Sequence, residues 1–218
     1  MTTTAPPRRR ALLNAWSTPI YTAMVEGHAD HNPVLQDLIL KAEAEDPDAA
    51  NFGGIAAIKS SQDILQWHHP SIDWLKAALA EAEQAMMRSV MGPATEEITA
   101  DTVAEGWAVV YREGGSLRPH THHDSVWSAV YYVAAGTETS CDQEETDAGY
   151  LQMLDPRPAA IARGGTSEVV RIAPVPGRIV AFPGWLPHQV AATVHGEGLR
   201  ICTAFNIAYD KDTWTGMR

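Results

Sequence analysis

The sequence predicts an α+β chain, mostly β, in which a jelly-roll barrel carries an N-terminal helical layer on one sheet. Three observations predict it. Two helix-period stripes occupy the first half of the chain, the composition changes character near residue 100, and about eight short β-rich runs follow, divided by Gly, Pro and Asp.

Taken in order, residues 1–10 hold three arginines with no apolar run behind them. They read as a short disordered tail and not as a secretory signal. Residues 11–218 then read as one domain, helical over 11–100 and β-rich over 101–218. Asn32-Pro33 is a helix start, with Asn as cap and Pro in first position, and Val34, Leu35, Leu38, Ile39 and Ala42 keep the stripe. Ser71 can cap a second helix, along which Ile72, Leu75, Leu79, Ala82, Met86 and Val90 recur until Gly92-Pro93 stops it. Both stripes predict ordinary core packing. The stretch from Phe52-Gly53-Gly54 to His69 reads as loop with a short element. The expected strands are Trp107–Arg112, Trp127–Ala134, Tyr150–Leu154, Val169–Ile172, Ile179–Phe182, Gln189–Val194 and Leu199–Ile207, with a short one at Leu117.

Composition narrows the function classes. The net charge of -11 disfavours nucleic acid, whose phosphates need a basic face. No run reaches the ~18 apolar residues of a membrane helix. Cys141 and Cys202 are far apart and form no metal or redox pair, which suits a reducing cytoplasm. A small-molecule partner is expected. Tryptophans in the first half leave room for a homodimer contact.

The chemistry gathers at Arg118-Pro119-His120-Thr121-His122-His123-Asp124-Ser125. Residues two apart on a strand face one side, so His120 with His122, or His122 with Asp124, can converge on an ion. Imidazole and carboxylate suit iron, and an open-sided set of three suits dioxygen activation. A distant partner comes from Gly177-Arg178-Ile179-Val180-Ala181-Phe182-Pro183, a buried strand and turn after which Gly184-Trp185-Leu186-Pro187 delivers His188. His28, His31, His68, His69 and His195 read as exposed or capping. Arg200 lies inside the apolar run Leu199–Ile207, where an unpaired guanidinium is costly to bury. A bound carboxylate would satisfy it, and an edge-facing Arg in water is the alternative. His188 and Arg200 are expected to flank a hairpin around His195-Gly196-Glu197-Gly198, and both point inward only with an odd loop or a bulge. Asn206 shares the Arg200 face and can hydrogen-bond substrate or order the site. Ser128, Val130 and Tyr132 share one face, and Trp107, Val109 and Tyr111 another, so Tyr111 is a candidate to touch substrate.

These segments resemble the iron(II)- and 2-oxoglutarate-dependent oxygenases. The resemblance is carried by His120-Thr121-His122, Ser128-Ala129-Val130-Tyr131-Tyr132-Val133, Gly149-Tyr150-Leu151, Asp155-Pro156-Arg157, the Phe182–His188 segment and the Arg200–Asn206 segment. Ser17-Thr18-Pro19-Ile20-Tyr21 extends it over nearly the whole chain, and the barrel half is similar to prolyl hydroxylases in the order His, His, Arg. The resemblance implies a double-stranded β-helix, Fe(II) on the His motif and His188, and dioxygen as co-reactant. It also implies 2-oxoglutarate on the metal, with its far carboxylate on Arg200 and the Tyr132 hydroxyl. Oxidative decarboxylation to succinate and carbon dioxide would drive oxidation of the substrate. The wider superfamily has His-x-Asp where this chain has His120-x-His122. Two ligand sets therefore stand: His120, His122 and His188, or His122, Asp124 and His188. Spacing to Ser128 and Tyr132 favours the first.

Two other classes compete. A cupin-type dioxygenase or isomerase would share the Gly114, His120-x-His122, Gly177, Pro183 and His188 spacing, yet lacks its expected Glu and has no use for a buried Arg200. A non-enzymatic ligand-binding jelly roll would hold no metal. For the oxygenase, a hydroxylase acting on an amino acid or natural-product intermediate is expected; desaturation, epoxidation and cyclisation share the same metal chemistry.

Overall fold

The computed structural model describes residues 16–46, 54–61, 63–92, 102–136, 147–157, 169–193 and 198–209. The expected tail 1–10, Cys141 and His195 lie outside the described residues. Among the described residues the elements are β1 (Tyr21–Met24), α1 (His28–Glu45), β2 (Gly54–Lys59), a 3-10 turn (Ile64–Gln66), α2 (Pro70–Met91), β3 (Thr102–His120), β4 (Trp127–Ala135), β5 (Leu151–Met153), β6 (Val170–Ile172), β7 (Arg178–Pro183), β8 (His188–Val190) and β9 (Arg200–Tyr209). The strands form an antiparallel sheet in the order β1-β7-β4-β9-β3-β8-β5-β6, with β2 added on β3. It curls into a half-barrel with the two helices against one face, the fold class the sequence predicts.

Strand alternation explains why the helices sit on one face and a cavity forms on the other. Ala108 and Val110 of β3, Ala129 and Tyr131 of β4, Ile179 and Ala181 of β7, and Ile201 and Phe205 of β9 pack with Leu35, Ile39, Leu75 and Leu79 of the helices. Their neighbours Trp107, Val109, Tyr111, Tyr132, Val180, Phe182 and Cys202 form a second cluster on the opposite face. Each of these four strands is thus apolar on both sides, and a one-residue slip would exchange helix-facing and cavity-facing side chains. Each of the buried leucines contributes roughly 1.5–3 kcal/mol through this burial.

Both helix starts differ from the expectation. Helix α1 begins at His28, capped by Gly27 at φ 79°, and Pro33 lies inside it. Asn32 is no cap: it is buried, and its Oδ1 accepts from the Tyr131 hydroxyl on β4. Anchoring the helix to the sheet outweighs the one backbone bond that Pro33 forgoes. In α2 the cap is His69, whose Nδ1 accepts from Ser71 N at 3.1 Å, and Pro70 takes the first position. Ser71 is instead buried against His31, with Oγ 3.1 Å from Nδ1. His69 therefore caps as one of the expected histidine roles, whereas His31 joins an internal network.

Strand β1 was not expected. β2 and the 3-10 turn lie in the segment read as loop with a short element. Strand β3 turns the corner of the barrel: Thr102–Tyr111 pairs with β9, and Leu117 and His120 pair with β8. β3 thus lies between β8 and β9, so His188 and Arg200 do not flank a hairpin. The odd-loop condition drops out, because each strand takes its register from β3.

Candidate active site

His120 closes β3 and His188 opens β8, and the two are cross-strand partners. His122 follows in the next loop, where its N–H donates to the Gly184 carbonyl at 2.8 Å, while Gly184 N–H donates to Val126 at 3.0 Å. This clasp needs glycine, because a Cβ on Gly184 would stand 2.3 Å from the Ser125 carbonyl oxygen. The ligand-capable nitrogens of His120, His122 and His188 all lie within 4.8 Å of one another.

The hydrogen bonds sort the ring nitrogens. His120 Nδ1 meets the Arg118 carbonyl at 2.8 Å and His188 Nδ1 meets that of Leu186 at 2.9 Å. An N–H donated at Nδ1 leaves the Nε2 lone pair for a metal. His122 Nε2 and His188 Nε2 are 3.3 Å apart. Nitrogens about 2.1 Å from one ion stand about 3 to 3.4 Å from each other, so the spacing fits a shared metal. Burial, then the neighbouring histidines, pushes His122 down to about 4 and His188 down to about 3; burial lowers His120 as well. All three rings are therefore neutral at neutral pH, the form that ligates. Asp124 is exposed and stands outside this cluster.

A narrow cavity joins the histidines to Tyr111, Phe182, Arg200 and Cys202. Arg200 is only 1% exposed. Its guanidinium carbon lies 4.4 Å from the Tyr111 ring centre and 5.3 Å from that of Tyr132. Nη1 makes a weak 3.7 Å contact with Cys202 Sγ. Arg200 Nε and the Tyr132 hydroxyl are buried without a hydrogen-bond partner, and no described carboxylate pairs with Arg200. Burial pushes the Tyr132 hydroxyl up to about 12, against the pull of Arg200, so it stays a donor. Two unspent buried donors fit a carboxylate, which is the end that a small 2-oxo diacid would present here. Tyr111 lines this inner cavity together with the three histidines and Arg200.

An outer chamber of about 500 Å³ opens beside His120 and His122, lined by Ala57, Lys59, Trp107, Leu117, Arg118 and Asn206 among others. Asn206 is held at both ends: Ser128 Oγ donates to its Oδ1 at 3.4 Å, and its Nδ2 donates to Glu105 Oε1 at 3.0 Å. Lys59 places Nζ 3.7 Å over the Trp107 ring. The sequence reading missed Lys59, although the apolar run Gly54–Lys59 ending in a cation was its visible signal.

Residues 105–206 match the family model described as "Putative 2OG-Fe(II) oxygenase". The chain carries a 2OG-Fe(II) oxygenase domain. As an enzyme of this kind the oxygenase uses Fe(II), 2-oxoglutarate and dioxygen, and the donor set above fits the first two. Solved structures share its fold. A prolyl-4-hydroxylase from Pseudomonas putida is 17% identical, with TM-score 0.60, covering 89% of this chain and 94% of its own. HygX from Streptomyces hygroscopicus with nickel and 2-oxoglutarate bound is 14% identical, with TM-score 0.57, covering 89% and 84%. SnoN, an α-ketoglutarate-dependent epimerase from nogalamycin biosynthesis, is 11% identical, with TM-score 0.57, covering 90% and 80%. Among curated proteins, none matches the sequence. The family match does not favour the cupin or the non-enzymatic jelly roll. No helix among the described residues is long and apolar enough to cross a membrane.

Proposed function

We propose that the oxygenase hydroxylates a small molecule, such as an amino acid or natural-product intermediate, at iron held by His120, His122 and His188. Arg200 and Tyr132 receive the far carboxylate of 2-oxoglutarate. The observation that carries this reading is one cavity that joins a neutral three-imidazole cluster to the buried Arg200, whose Nε is unspent, with the buried Tyr132 hydroxyl as a second unspent donor on a ring 5.3 Å from that guanidinium. When bound, iron and 2-oxoglutarate supply the oxidising power, with succinate and carbon dioxide released. The chain's own residues bind, orient and exclude water. Phe182 and Tyr111 wall the cosubstrate end, and Trp107, Val109 and Leu117 give the substrate end an apolar wall. Asn206, fixed by Ser128 and Glu105, orders the rim and offers remaining hydrogen-bond capacity to a substrate.

A small molecule suits a chamber of about 500 Å³. One solved form of HygX holds hygromycin B, a precedent on this fold for a small-molecule occupant. A cytoplasmic, reducing setting suits the free, buried Cys202. Thermal unfolding with Ni(II) and 2-oxoglutarate tests the first half of the proposal. Both ligands together should raise the midpoint beyond either alone, and no shift would sink it. Succinate release against amino acids and natural-product fragments, with mass detection of one added oxygen, tests the second half.

A further inference from the structure

The outer chamber has a charge pattern opposite to that of the chain. The protein carries a net charge of -11, yet the charged side chains lining the chamber are Lys59 and Arg118, with no Asp or Glu among the lining residues. Lys59 ends β2 opposite Val109 of β3, a residue shared by the walls of both cavities. Its ammonium lies over the Trp107 face, 3.7 Å from Nζ to the ring centre, which holds the cation over an apolar shelf. Lys59 is half-buried, and its charge is felt at both His120 and His122. The groups facing it are Glu105, which acts on its charge and holds Asn206, and the two histidines. Partial burial of an ammonium is costly without compensation, and Glu105 supplies part of it.

We propose that Lys59 reads the substrate's charge: the oxygenase takes a carboxylate-bearing small molecule, whose carboxylate sits on Lys59 while its carbon skeleton lies along Trp107, Val109 and Leu117 toward the histidines. This rests on the small-molecule reading of the same site and names its substrate class. A single half-buried ammonium with one exposed guanidinium nearby matches a singly charged carboxylate. A carboxylate adds a charge-assisted contact to the ammonium that a neutral isostere cannot make.

The test uses the full chain loaded with Ni(II) and 2-oxoglutarate, titrated calorimetrically with a panel of aliphatic and aromatic carboxylic acids, each paired with its primary amide. The tightest binders should be acids, with their amides at least about tenfold weaker, as expected for one charge-assisted contact. Lys59→Met should erase that difference and Lys59→Arg should keep most of it, while both retain the 2-oxoglutarate affinity of the unaltered protein. Amides binding as well as acids, a preference that survives in Lys59→Met, or no acid binding at all would each overturn the assignment. Loss of 2-oxoglutarate binding by the unaltered protein would instead overturn the function it rests on.

Discussion

The two cavities that meet at the histidines are built on opposite principles. The inner one is lined by Arg200, whose Nε is buried and unpartnered, as is the neighbouring Tyr132 hydroxyl, on the central strands β9 and β4. In the outer one the polar groups are held by one another, as Asn206 is by Ser128 and Glu105, and Lys59 comes from a strand attached only to β3. Unspent donors on rigid neighbours favour one fixed ligand, because they gain only when the right acceptor arrives. A wider chamber with satisfied walls suits a ligand that differs from enzyme to enzyme. The cosubstrate end therefore shows in the orphaned atoms, and the substrate end in charge and shape.

The largest effect should come from the histidine cluster itself. His188→Ala should abolish tight Ni(II) binding, whereas Asp124→Ala should leave metal content within about twofold, as expected of an exposed group outside the cluster. Metal content after gel filtration decides it. Loss of metal in Asp124→Ala would replace His120 by Asp124 in the ligand set.

Next come the inner donors, which should separate stability from binding. Arg200→Met should weaken 2-oxoglutarate about a hundredfold or more, since truncating one side of a buried charged pair costs about 2–5 kcal/mol. Tyr132→Phe should weaken it about tenfold. In the ligand-free protein Tyr132→Phe should cost nothing and can add about 1 kcal/mol, because it deletes a buried hydroxyl that has no partner. Denaturant melts with and without 2-oxoglutarate read both signs. Equal destabilisation in both conditions would make Tyr132 a packing residue.

Legibility in the sequence follows the same division. The inner strands were readable because each is continuous, apolar and flanked by turn residues, and because Arg200 is out of place in such a strand. Tyr131 and Tyr132 divide between the two faces as strict alternation demands. Asn32 and Ser71 misled because a local cap and a tertiary hydrogen bond call for the same residue types, and nothing local distinguishes them. The place of Lys59 beside the site and the partner strands of β8 were not readable, although a cation ending an apolar run was in view: β2 gains its position from pairing with β3, and β3 separates β8 from β9. Both are non-local facts.

A smaller effect appears when the metal is absent and pH falls. The unfolded histidines take up protons below about 6.5, whereas folded His122 and His188 resist to about 4 and about 3. The unfolded state then binds more protons, so stability rises with pH and is lost as pH falls through this window. Melting midpoints of the metal-free protein from pH 7 to 4.5 should decline, and His188→Gln should decline less. Identical slopes would mean that the buried imidazole does not govern the loss.

The smallest effect should fall on the outer side alone. Ala56 sits at φ 50° beside the register shift in β2, a backbone region that costs a residue with a Cβ about 1–2 kcal/mol. Glycine removes that strain but brings about 0.5–1 kcal/mol of extra chain entropy to be lost on folding. Ala56→Gly should therefore stabilise the protein by about 0.5–1 kcal/mol, read as a shift of the urea midpoint at constant slope. Because β2 carries Lys59 and none of the inner donors, 2-oxoglutarate affinity should not move with it. A change there would show that the outer strand also sets the inner cavity, and the contrast between a rigid cosubstrate end and an adaptable substrate end would have to be given up.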